Sequence, residues 1–236
     1  IDPQQAREDI ERYFGSIPPA SPPKQEVVTR EPEPIGQTRF VVHDQAQPRI
    51  DLLFHTPGYP DDELYRLEVA QGVLSSRSGV LYRRLVMEED LCLNAGATNA
   101  FRLHDGYFHV WATLKDDTDP DDVEKLIREV LAAAAQTPPA KHEIERIKNN
   151  IRMSFVSGLK SLEGLSDRLA WFERLASWRD LMEYPDKIEA VSAASVPDIV
   201  GRYLDPDKAT VGILLKKRAA STGSPSKVSA PAESGR

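Results

Sequence analysis

Gly106-Tyr107-Phe108-His109-Val110-Trp111-Ala112-Thr113-Leu114 is the stretch that decides the fold. Phe108, Val110, Ala112 and Leu114 alternate with Tyr107, His109, Trp111 and Thr113. That period of two predicts a β-strand with one buried and one half-exposed face. Just upstream, Leu91–Phe101 reads as a partner strand, with a turn at Arg102–Asp105. Arg39–His43 and Arg49–His55 read as two further strands about a turn at Asp44–Pro48, and Ala209–Leu215 as a last short one.

Between the strands the period changes to that of a helix. Leu64, Leu67, Ala70 and Leu74 predict a helix from about Asp61, and Leu81–Glu88 a shorter one after a polar break at Ser75–Gly79. Asp119-Pro120 opens a helix carrying Val123, Ile127, Val130 and Leu131, stopped by Pro138-Pro139. A long helix follows from Ala140, and more helix over Leu165–Met182 and Val196–Tyr203. Strand pairs separated by helices predict an α+β fold: a mostly antiparallel sheet with helices packed on one face. The other face is then free for water or a partner.

At the start, Asp2 and Pro3 are a cap and first-turn pair for a helix running to Phe14, closed by Gly15. Ser16–Gln37 carries six prolines and almost no apolar periodicity, which predicts an extended linker. We therefore expect residues 1–15 to be the terminal helix of a preceding domain, 16–38 a linker, 39–216 the α+β domain, and 217–236 a disordered tail.

Composition excludes several classes. A net charge of −7 argues against a nucleic-acid partner. No run approaches the roughly 18 apolar residues of a membrane span. Cys92 is the one cysteine, so no disulfide framework or thiolate metal cluster can form within the chain. One cysteine suits the cytoplasm and the bacterial periplasm equally, and leaves the compartment open.

Four segments add a resemblance. Asp2-Pro3 with Ile10-Glu11-Arg12-Tyr13-Phe14-Gly15-Ser16-Ile17-Pro18-Pro19 is the first. The second is Leu74-Ser75-Ser76-Arg77-Ser78-Gly79-Val80-Leu81-Tyr82-Arg83-Arg84-Leu85-Val86. The third is His142-Glu143-Ile144-Glu145-Arg146-Ile147-Lys148-Asn149. The fourth is Ile188-Glu189-Ala190-Val191-Ser192-Ala193-Ala194-Ser195-Val196, followed by Arg202-Tyr203-Leu204. In this order they resemble the C-terminal, non-zinc half of an insulinase- or pitrilysin-type zinc metallopeptidase protomer, from residue 2 to about 216. The resemblance implies a mitochondrial-processing-peptidase-like metallohydrolase domain that forms part of a peptide-binding chamber. It also implies a zinc-bearing domain preceding this one in the same chain, a peptide substrate, and a second protomer or homodimer.

The zinc motif of such enzymes, an inverted H-x-x-E-H, is absent here. The five histidines are His43, His55, His104, His109 and His142, and none has another four residues away. Arg146 stands where a second ligand after His142 would be. No cofactor is expected in this chain, zinc is expected in the upstream domain, and the chain alone should not cleave peptides. The family's carbonyl-binding Arg and Tyr fall here on Val86 and Leu93, which donate no side-chain hydrogen bond.

The candidate substrate-binding residues are His109 and Trp111 on the open sheet face, and Arg83 and Arg84 on the short helix. Each has a plainer reading: a half-exposed sheet histidine, and solvent-facing helix arginines. Cys92 is expected to act as a buried small hydrophobe, and Trp171, Phe172 and Trp178 as core. An inactive homologue acting as partner subunit or scaffold, and a generic α+β binding domain, stay open as alternatives.

Overall fold

The structure is a computed structural model, and it describes residues 2–19, 32, 34–75 and 78–217. The expected disordered tail beyond Lys217, most of the linker, and Ser76 and Arg77 of the polar break lie outside the described residues. The chain divides into two compact units, Ile1–Pro32 and Glu33–Arg236.

Among its described residues the first unit holds one helix, α1 (Pro3–Phe14). Asp2 caps it as predicted: its carboxylate accepts from the Gln4 amide at 2.8 Å, and Pro3 opens the first turn. Ile10, Tyr13 and Phe14 are all exposed.

The second unit is built on a five-stranded sheet of β1 (Thr38–Asp44), β2 (Arg49–Thr56), β3 (Cys92–Ala100), β4 (Gly106–Leu114) and β5 (Thr210–Lys216). The spatial order is β1-β5-β2-β4-β3. β3/β4, β4/β2 and β2/β5 pair antiparallel, and β1/β5 pair parallel. The sheet is therefore mostly antiparallel, as the alternation predicts. The expected β1–β2 pairing does not form, because β5 inserts between them. The short connection at residues 45–48 leads not to a hairpin but to the next strand but one.

Ile50, Leu52, Phe54, Phe108, Val110, Ala112, Leu114 and Val211 point to one side and are essentially inaccessible. On that side pack α2 (Glu63–Leu74), α4 (Pro120–Ala134) and α8 (Ser195–Tyr203), with α5 (Lys141–Gly158) against α2. Phe54 and Phe108 are register partners at the centre of this core. Truncating either to alanine is expected to cost about 3–5 kcal/mol, the usual penalty for a fully buried phenylalanine. A smaller cluster of Phe155, Phe172 and Leu181 joins α5, α6 (Leu162–Leu175) and α7 (Asp180–Ala190).

Three local readings change. Leu165–Met182 is not one helix: α6 ends at Leu175 and α7 starts at Asp180, continuing through Pro185 to Ala190. Trp178, expected in the core, lies in this break and is exposed, while Phe172 is buried and Trp171 half-buried. The short helix from Val80 is α-helical only to Tyr82 (α3), then π-helical over Arg83–Glu88.

Candidate functional site: the open sheet face

The side of the sheet away from the helices carries Arg49, Asp51, Leu53 and His55 from β2, and Tyr107, His109, Trp111 and Thr113 from β4, all half-buried. Period-two alternation puts them there, so their place follows directly from sequence. Register then builds cross-sheet rows. One row is Phe40–Gly212–Asp51–Trp111–Gly96, and the next is Val42–Leu214–Arg49–Thr113–Asn94. In the first row the rings lie over glycines. A Cβ on Gly96 would stand 3.1 Å from the Trp111 ring, and one on Gly212 2.8 Å from the Phe40 ring.

His109 and Trp111, the sequence candidates on this face, each meet a β2 residue on the diagonal. His109 Nε2 and Asp51 Oδ1 are 2.7 Å apart. The Arg49 guanidinium carbon sits 5.1 Å from the centre of the Trp111 ring, within cation–π range. Arg49 Nε donates to both oxygens of Asp51, at 2.7 and 3.0 Å. Burial alone would raise the Asp51 carboxyl. Hydrogen bonds from His109 and Arg49 outweigh it and hold the group below the ordinary carboxylate value. The result is a connected quartet of a carboxylate, an imidazole, a guanidinium and an indole.

Arg49 and Asp51 were not singled out in the sequence. Their signal is the i, i+2 spacing Arg49-x-Asp51 on a strand whose intervening residues are apolar. What the sequence does not supply is the β2–β4 register that brings them to His109 and Trp111.

Arg83 and Arg84 lie elsewhere. They border a groove of about 530 Å³ lined by Val73, Val130, Ala134, Pro138 and Val196, between the π-helical turn, α4 and α5. Arg84 pairs with Glu89 at 2.8 Å, and Arg83 with Glu88 at 3.5 Å. Both are i, i+5 pairs, the spacing that a π turn stacks, and Arg84 also meets Glu88 at i, i+4, 3.5 Å away. Arg84 also reaches Glu129 at 3.8 Å. The structure therefore does not bring the two arginines to His109 and Trp111.

Val86 packs half-buried against the core. Leu93 is the extra residue of a bulge in β3 and is 52% exposed. Asp90, between them, takes a left-handed φ of 54°. Cys92 is fully buried, and burial pushes its thiol up to about 11, far from thiolate reactivity.

The histidines do not converge on a metal. His104 and His142 are exposed, and His109 is bonded to Asp51. Among the described residues no group of three or more His, Cys, Asp or Glu is placed to hold a metal ion. The described residues do not fit a zinc site. Nor is any described helix long and apolar enough to cross a membrane.

Residues 1–151 match the family described as "Peptidase M16 inactive domain". Solved structures share the fold. A protease from Helicobacter pylori superposes with a TM-score of 0.84 at 18% identity, over 91% of this chain and 53% of its own. The peptidase M16 inactive domain from Pseudomonas fluorescens gives 0.70 at 13% identity, over 84% of this chain and 47% of its own. The periplasmic protease PqqL from Escherichia coli gives 0.69 at 14% identity, over 91% and 25%. This chain thus spans about half the length of the Helicobacter protease. No curated protein matches the sequence.

Proposed function

Since the chain belongs to the peptidase M16 inactive-domain family, we propose that it forms the non-catalytic half of a zinc metalloendopeptidase and supplies one wall of the peptide-binding chamber. Its partner in this reading is a zinc-bearing domain preceding it in the same protein. The observation that carries the reading is the open sheet face. A helix-backed sheet holds its polar quartet in fixed positions beside exposed Phe40 and Val42. A surface of oriented polar groups among apolar side chains suits an extended peptide, which needs both.

A second reading has its own support. Val86 and Leu93 occupy the places where relatives are expected to carry carbonyl-binding donors, and neither side chain can donate. This favours an inactive homologue acting as partner subunit or scaffold.

Zinc analysis and a peptide-cleavage assay, run on the full-length protein beside this chain, separate the two. The chamber-wall reading expects stoichiometric zinc and cleavage only with the upstream domain present. A full-length protein with neither supports the scaffold. Zinc-dependent hydrolysis by this chain alone overturns both.

A further inference from the structure

Arg49 is held more firmly than a surface arginine needs to be. Its Nε is bound to both oxygens of Asp51, at 2.7 and 3.0 Å. One face of its guanidinium lies over Trp111. Asp51 is itself fixed by His109, whose Nε2 lies 2.7 Å from Oδ1, the oxygen that also takes the shorter Arg49 bond. Most of the rotamer freedom that an arginine loses on binding has therefore already been given up.

What this rigidity leaves over is the end of the fork. Among the described residues, the two terminal nitrogens of Arg49 have no hydrogen-bond partner, and the side chain is 38% exposed. Its register neighbours on either side, Thr113 and Leu214, are uncharged. Further along this end of the sheet, Lys216 pairs with Asp116 at 3.1 Å, and the Asp44 carboxylate accepts from the Gln45 amide at 2.7 Å. A planar pair of N–H donors with nothing to bind matches a carboxylate, which accepts two parallel hydrogen bonds from such a fork. Beside it, Trp111, Leu214, Val42 and Phe40 offer apolar contact in the same and the adjoining row.

We propose that Arg49 is a carboxylate-binding subsite of the open sheet face, and that the face takes peptides presenting a carboxylate next to apolar residues. The inference rests on the chamber-wall reading and narrows it to a substrate class. The carboxylate can come from an acidic side chain or from a peptide C-terminus; the fork recognises what they share. Asp51 and His109 are positioning residues, since they act on the ligand only through Arg49.

The test uses the full chain and three capped apolar hexapeptides: one with a free C-terminal carboxylate, one with a C-terminal amide, and an amide carrying an internal Glu. Binding is read from NMR shifts of the Trp111 indole N–H, with the other two tryptophans as internal controls. At least one carboxylate peptide is expected to bind about five- to tenfold tighter than the plain amide. The free acid winning assigns the C-terminus as source, and the Glu peptide winning assigns the side chain. Arg49→Gln should erase the preference while the amide still binds and the spectrum keeps its dispersion. Equal affinity of all three for the wild-type chain overturns the subsite and leaves the chamber wall standing. No shift at Trp111 with any peptide overturns both.

Discussion

Asp51 bonds not to its register partner Trp111 but to His109, two residues back along β4, at 2.7 Å. Arg49 makes the same diagonal step, from Thr113 to Trp111. Sheet twist brings one diagonal of each cross-strand square closer than the other, and long side chains use it. Asp51→Asn removes the charge that both neighbours bind. Because the folded carboxyl lies below its unfolded value, its contribution is complete at neutral pH and is lost as pH falls through the folded value. We expect a cost of about 1 kcal/mol at pH 7. The urea midpoints of variant and wild type should converge toward pH 3.

Gly58 tests the packing of the loop after β2. A Cβ there would lie 1.7 Å from the His104 carbonyl oxygen, a backbone atom of the β3–β4 turn. The next residue ties the two loops together, Tyr59 N–H to Arg102 O at 2.8 Å. Neither backbone can step aside without losing that bond. Gly58→Ala should therefore cost about 1–3 kcal/mol or more, measured by chemical denaturation.

Glu124 tests how the edge strand is held. This buried carboxylate on α4 accepts from Arg128 at 2.9 Å and from Arg39 of β1. Burial works to raise it, and the two arginines win, holding it below its usual range. Glu124→Gln should destabilise by about 1–3 kcal/mol at pH 7. Hydrogen exchange at β1 amides should quicken more than at β4, whose strand has a neighbour on both sides.

Glu68 has the opposite sign. Burial pushes its carboxyl up to about 7, against the lowering effects of an Asn99 hydrogen bond and the Arg168 charge. The folded chain then keeps a proton that the unfolded chain has already released. Its stability falls as pH rises from the unfolded value toward 7, then levels off. Glu68→Gln has no proton to lose, and still offers Asn99 an oxygen. It should exceed wild type by about 1–2 kcal/mol at pH 8 and match it at pH 4, seen as a Tm difference at pH 8 only.

Strand-level legibility was high where the period was clean. β2, β4, α4 and α8 stand out because one side chain in two, or one in three or four, meets the core. The failures share a cause: tertiary contact overruled a local cue. The helix expected to end at Met182 continues through Pro185, a residue that usually breaks helices, because Leu181 and Ile188 are buried and Tyr184 stacks on Phe155 with centres 5.0 Å apart. Nothing local in Thr210–Lys216 says that it lies between β1 and β2. The site divided the same way. Alternation places His109 and Trp111 on the open face, whereas Asp51 and Arg49 matter only through a register that spans 58 residues from Asp51 to His109.

The place of β5 also dictates an order of events. It is the last strand among the described residues, yet it sits inside the sheet, with β1 on one side and β2 on the other. Until it arrives, β1 has no hydrogen-bonded neighbour, and β2 has an open edge. During synthesis the β2–β4–β3 sheet can assemble from local contacts, while closure waits for residues 210–216 to leave the ribosome. A chain stalled near Ala209 would present β2 and β1 as two separate unpaired edges, the state most exposed to mispairing with another copy.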